Sequence, residues 1–155
     1  MADKFIADVH CGKLAKLLRI LGFDTTYNNS HTNKELLSIA AEESRILLSR
    51  NITFNKSDRV QFFFIQHEEP TEQLKQVLNH FNLKDKIHPF TRCTLCNGIL
   101  EDVSKENILQ QLQENTLLYY HEFWKCSTCG NIYWKGSHFN RMKKMIEEVK
   151  ADKFS

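Results

Sequence analysis

Four cysteines fall in two Cys-x-x-Cys pairs, Cys93 with Cys96 in RCTLCNG and Cys126 with Cys129 in KCSTCGN. Two intervening residues make a tight knuckle that turns both thiols toward one point. Two knuckles supply the four soft ligands of a closed, tetrahedral structural Zn2+ site. Gly130 follows the last ligand, and Gly98 comes one residue later after the first pair, where each suits a turn that tolerates few side chains. The alternatives are disulfides or a redox dithiol. Disulfides belong to oxidising compartments, yet no apolar leader opens this sequence, and Cys11 would be left over. A redox dithiol uses one such pair in a thioredoxin-like setting, not two. A closed zinc site holds a fold and leaves no position for substrate, so catalysis has to come from other residues.

A hard divalent cation that activates water for phosphodiester hydrolysis asks for oxygen ligands, carboxylates first. The sequence offers Asp8 in FIADV, Asn33 and Glu35 in NKE, and Asn51 at the end of LLSRN. Two amides in that set weaken it for Mg2+ or Mn2+, because affinity follows ligand charge. Each residue also has a plainly structural reading. Asp8 and Asn33 suit caps, Glu35 suits the positive end of a helix dipole, and Asn51 suits strand termination. Lys13, Arg19 and Arg50 flank these positions, where they would steer a phosphate backbone or simply face solvent. Around the knuckles, Arg92, Lys135 and His138 offer phosphate contacts, and Trp134 offers a ring for a base of single-stranded RNA. Tyr133 and Trp134 are equally suited to packing a small ribbon against its neighbour.

The elements that must position these residues read clearly. FIADV is a short buried strand, and in GKLAKLLRILG the residues Leu14, Leu17, Leu18 and Leu21 make one apolar helical face. FDTTYN reads as a second strand, and SHTNKELLSIAAEESR as a helix capped by Thr32 or Asn33. RILLSRN and VQFFFI are further strands, followed by the helix TEQLKQVLNHF. Strands alternating with helices predict an α/β fold with a mainly parallel sheet, and the apolar FFFI predicts helices on both faces. In such sheets ligands gather at the carboxyl ends of the strands, where Asp8, Asn33 at the start of the second helix, and Asn51 fall. Between the knuckles, ILQQLQ reads as a short helix and TLLYYHEFWKC as a strand, and NRMKKMIEEVK as a C-terminal helix. The boundaries expected are an α/β domain over 1–88 and a zinc ribbon with its helix over 89–155.

Composition bounds the rest. The 155 residues are 41% hydrophobic and 26% charged, as in an ordinary globular chain, and the formal net charge of +2 decides nothing about partners. No apolar run is long enough for a membrane span. Reduced cysteines and no leader lead to the expectation of a cytoplasmic protein. Oligomeric state stays open.

The segments FIADVHCGKLAKLLRILGFDT, NKELLSIAAEESRILLSRN, EQLKQVLNHF, FTRCTLCNGIL and FWKCSTCGNIYWKGSH, in that order, resemble the Mut-seven C-terminal RNase domain family over nearly the whole chain. The resemblance implies a PIN-like fold fused to a zinc ribbon and a metal-dependent ribonuclease, with Asp8 at the family's first acidic position. The family usually carries an aspartate where Asn33 stands, and Thr-Arg-Asp where Ser49-Arg50-Asn51 stands; Glu35 could take the acidic role by a small shift. Two expectations follow from these departures. Either Asp8, helped by Glu35, serves a PIN-like ribonuclease using Mg2+ or Mn2+, or the chain is an RNA-binding module that has lost hydrolysis through Asn33 and Asn51. A protein-interaction adaptor docking through the ribbon is a third.

Overall fold

The computed structural model describes residues 3–151. Among these, β1 (Phe5–Ala7), β2 (Thr25–Thr26), β3 (Ile46–Ser49) and β4 (Phe62–Phe64) form a parallel sheet in the order β2-β1-β3-β4. Helix α1 (Gly12–Ile20) connects β1 to β2, α2 (Asn33–Glu42) connects β2 to β3, and α3 (Pro70–His80) follows β4. Side chains alternate across the sheet as strand geometry requires. Phe5, Ala7, Ile46 and Leu48 join Leu14 and Leu18 of α1 and Leu74 and Leu78 of α3 in one buried cluster. Ile6 and Leu47 face the other way, onto Leu36 and Ala40 of α2 and Phe54. Both faces are therefore covered, and each fully buried Leu or Ile contributes about 1.5–3 kcal/mol relative to exposure. The expected α/β class with helices on both faces is observed.

A second, antiparallel sheet holds β5 (Leu100–Val103), β6 (Phe123–Cys126) and β7 (Ile132–Trp134) in that order. The connection between β5 and β6 departs from the sequence reading. ILQQLQ forms turns rather than a helix, and TLLYY lies mostly in helix α4 (Glu114–Tyr119) rather than in a strand. The β5–β6 ladder closes at Val103↔Phe123, so the residues before Phe123 have no strand to pair with. A helical turn satisfies their backbone locally instead. Around ILQQLQ only Ile108 is buried, too little apolar surface to hold an isolated helix.

Helix α5 (Ser137–Ala151) returns from the ribbon to the parallel sheet, where Ile146 and Val149 enter the same buried cluster as Phe5 and Leu14. The junction is also polar. Arg19 sits only 5% exposed, with Nε donating to the Thr25 carbonyl at 2.9 Å and a terminal nitrogen to the Thr94 carbonyl at 3.0 Å. Asn97 accepts from the Thr25 backbone N–H at 3.0 Å and donates to Asp24 at 2.7 Å. Asp24 in turn receives Arg45 at 2.8 Å. Gly22, at φ +95°, closes α1 so tightly that a Cβ there would lie 2.2 Å from the His88 carbonyl oxygen. No helix of the described residues is long and apolar enough to cross a membrane.

Candidate functional site

Parallel pairing of β1 with β3 brings their carboxyl ends together. The Asp8 backbone N–H donates to the Leu48 carbonyl at 3.0 Å, which fixes Asp8 beside Ser49. Asp8 is 5% exposed, and its carboxylate is held from two sides. Oδ1 accepts the His10 backbone N–H at 3.0 Å, capping the tight turn before α1, and Oδ2 accepts the Ser49 hydroxyl at 2.6 Å. The same Ser49 oxygen accepts the Asn51 backbone N–H at 2.9 Å. Asp8, Ser49 and Asn51 thus form one chain of hydrogen bonds across two strands. Asn51 spends its side-chain oxygen on Thr53, taking the backbone N–H at 3.1 Å and the hydroxyl at 2.6 Å. It caps the turn over residues 52–56, so both structural readings of these two residues hold at the cleft itself.

The neighbours sharpen this picture. Tyr27 donates to the Val9 carbonyl at 2.8 Å and presses on α1 where Gly12 begins it; a Cβ on Gly12 would stand 2.7 Å from the Tyr27 hydroxyl. Cys11 is buried beside Asp8. Burial first, and then the negative charge of Asp8, push its thiol up to about 11, so it stays protonated and is no nucleophile at neutral pH. Lys13 is exposed in the first turn of α1. Arg50 donates to the His67 carbonyl and stands 3.9 Å from Glu68, where it ties down the segment after β4. Arg19, expected to steer phosphates, is a correction: its buried guanidinium bonds backbone carbonyls at the junction and presents no open face.

Asn33 and Glu35 lie exposed at the start of α2. Thr32, not Asn33, is the cap; its hydroxyl accepts the Glu35 backbone N–H at 3.1 Å, and the Glu35 carboxylate accepts the Thr32 backbone N–H at 3.1 Å. The Thr32 backbone N–H and then its hydroxyl hold the Glu35 carboxyl below its ordinary range. Glu35 lies on the exposed surface, whereas Asp8 is buried. Among the described residues, the four knuckle cysteines are the one group of three or more Cys, His, Asp or Glu close enough to hold a metal ion together. The donor set at the strand ends, one carboxylate flanked by a hydroxyl and an amide, does not fit a two-ion centre. Asp8 with the neutral oxygens of Ser49 and Asn51 could hold at most one hard ion weakly, since affinity follows ligand charge.

The cysteines are another matter. All four Sγ atoms lie within 4.8 Å of one another, with Cys93 to Cys129 at 3.6 Å and Cys96 to Cys126 at 3.4 Å. A tetrahedron with metal–sulfur bonds of about 2.3 Å has edges of about 3.8 Å, so these thiolates fit an ion such as zinc. Burial raises the Cys126 thiol, but the backbone N–H groups of Cys129 and Thr128, each 3.4 Å from Sγ, overcome it and bring Cys126 down to about 6. The Tyr133 hydroxyl stands 3.0 Å from Cys93 Sγ and 3.2 Å from the Thr94 backbone nitrogen, a supporting contact of the kind that orients metal ligands. Gly130 takes φ +81° after the second knuckle as expected. In the first knuckle it is Asn97 that takes the left-handed conformation, at φ +73°. Gly98 serves closeness instead, since a Cβ there would meet Cys126 Sγ at 2.7 Å.

Of the remaining candidates, Arg92 donates to the Asn97 carbonyl at 2.9 Å and lies 3.8 Å from Asp24. Trp134 is half-buried against Phe123, and Lys135 pairs with Glu122 at 2.8 Å on the surface. His138 is exposed. Sequence reasoning passed over Ser49, Asn97 and the Tyr133 hydroxyl as working groups. Serine beside an expected acidic position was the available signal for the first, and an asparagine before the knuckle glycine for the second.

A family model described as Mut7-C RNAse domain matches residues 3–146 of the chain. Comparison with curated proteins and with solved structures gave no match.

Proposed function

The chain belongs to the Mut7-C RNAse domain family, and from that premise we propose that it acts on RNA at the carboxyl ends of β1 and β3 as a metal-dependent ribonuclease of the PIN-like type. The observation that carries the reading is Asp8, a buried carboxylate at the strand-end crevice, oriented by the Ser49 hydroxyl at 2.6 Å. Asp8 would hold a Mg2+ or Mn2+ ion, and Asn51 and Asn33 would contribute at most neutral oxygens. The ion's chemistry there is to lower the pKa of a bound water and to neutralise phosphate charge. Ser49 keeps the Asp8 carboxylate in one rotamer, and Lys13, exposed at the start of α1, draws the phosphate backbone in. The zinc ribbon is a structural element that holds Zn2+ through Cys93, Cys96, Cys126 and Cys129, and the substrate is single-stranded RNA in the cytoplasm.

A second reading, an RNA-binding protein without hydrolysis, is favoured by the amides at Asn33 and Asn51, whose neutral oxygens add no charge to that of Asp8 for a divalent ion. A labelled single-stranded RNA incubated with Mn2+ separates the two. Cleavage by the native protein that vanishes in Asp8→Ala supports the ribonuclease. Salt-sensitive binding with no cleavage supports the second reading, and no binding at low salt overturns both.

A further inference from the structure

Where α5 leaves the ribbon, a cavity of about 230 Å3 opens between the antiparallel sheet and the C-terminal end of α1. Its walls are aromatic: Phe90, Trp124, Trp134 and Phe139 line it, with Met142 and Arg92. We propose that this cavity is a nucleobase pocket, taking one unstacked base of an RNA strand while Lys135 meets the adjoining phosphate. The proposal rests on the reading of the chain as an RNA-directed protein, and it adds a subsite remote from Asp8.

Three observations support it. The volume falls below the roughly 300–1,000 Å3 of sites for drug-sized ligands, which suits a single flat heterocycle. Next, the Lys135 ammonium lies 5.9 Å from the Trp124 ring centroid and 5.8 Å from that of Phe139, putting one cation beside two walls. Its surface partner Glu122 binds it in an exposed ion pair, which a phosphate can displace. Finally, Phe90 is held at φ +63°, an unfavourable conformation for a bulky side chain, with its ring stacked on Phe139 at 4.2 Å. Its backbone N–H donates to the Ile20 carbonyl at 3.2 Å, which anchors this strained wall to the end of α1. Asp8 precedes the start of that nine-residue helix and Ile20 ends it, so the two sites stand about 14 Å apart along its axis. A short oligonucleotide spans that distance.

Trp124 and Trp134 are the two tryptophans of the chain, so occupancy reads out in intrinsic fluorescence. The protein is titrated, without added Mg2+ or Mn2+, with hexa-adenylate and with an abasic hexamer carrying the same phosphates. The expected result is quenching by hexa-adenylate and an affinity about tenfold above that of the abasic strand. Phe139→Ala should lose that preference while keeping its abasic affinity. Should that variant fail to fold, the two ligands on native protein still decide. Equal affinities with unquenched fluorescence overturn the pocket and leave the RNA reading standing. Failure of both strands to bind at low salt overturns both.

Discussion

Tyr133 reaches two groups of the first knuckle through one hydroxyl, the Cys93 sulfur and the Thr94 backbone N–H. Removing that oxygen leaves the ring in place but takes away its hydrogen bonds to the Cys93 sulfur and the Thr94 backbone. Tyr133→Phe should therefore weaken metal affinity about tenfold or more, as read by competition with a chromophoric chelator. The cysteine site was legible in sequence because ligand spacing alone dictates it. The crevice was legible only in part. Asp8 and Asn51 were placed by strand ends, but the Ser49 bridge between them depends on β1–β3 register, which no local pattern encodes. Arg19 misled for a related reason. A long cation on a helix usually faces water, and here the Thr25 carbonyl of β2 and, once the ribbon docks, the Thr94 carbonyl take it instead.

At the scale of elements, α2 gives Glu35 a local role. Its carboxylate completes a capping box with Thr32, a local role that glutamine also fills. Thr32→Ala should lower stability by about 1 kcal/mol in urea unfolding, whereas Glu35→Gln should leave both stability and any RNA cleavage close to native. A large loss of cleavage in Glu35→Gln, at native stability, would restore Glu35 to the catalytic set. Helices with a full apolar stripe were readable from periodicity, α1 and α3 above all. The segment between β5 and β6 was not, because TLLYY is apolar enough for a strand and only the finished ladder denies it a partner.

Over the whole molecule, the ribbon and the parallel sheet are joined by Ile146 and Val149 in a shared core and by a polar junction centred on Asp24. Burial alone would raise the Asp24 carboxyl, but the hydrogen bonds from Arg45 and Asn97 outweigh it and hold it below its ordinary value. A carboxyl depressed in the folded state adds stability above its unfolded pKa of about 3.9, and that stability is lost as pH falls through the lower folded value. Unfolding measured from pH 7 down should thus show a loss of stability setting in below about pH 4. Asp24→Asn should be less stable at pH 7 and should lack part of that acid loss. An unchanged acid profile in Asp24→Asn would remove Asp24 from the junction's energetics.

Charge at the strand-end crevice is what a ribonuclease here needs, and the rate of single-stranded RNA cleavage against Mn2+ concentration tests it most directly. Native protein, Asp8→Ala and Asn51→Asp would be compared, the last keeping the acceptor that caps Thr53. The predicted result is slow native cleavage, none in Asp8→Ala, and half-maximal rate in Asn51→Asp at a Mn2+ concentration lower by about tenfold or more. Identical curves for native protein and Asp8→Ala, or no gain from the added carboxylate, would contradict it.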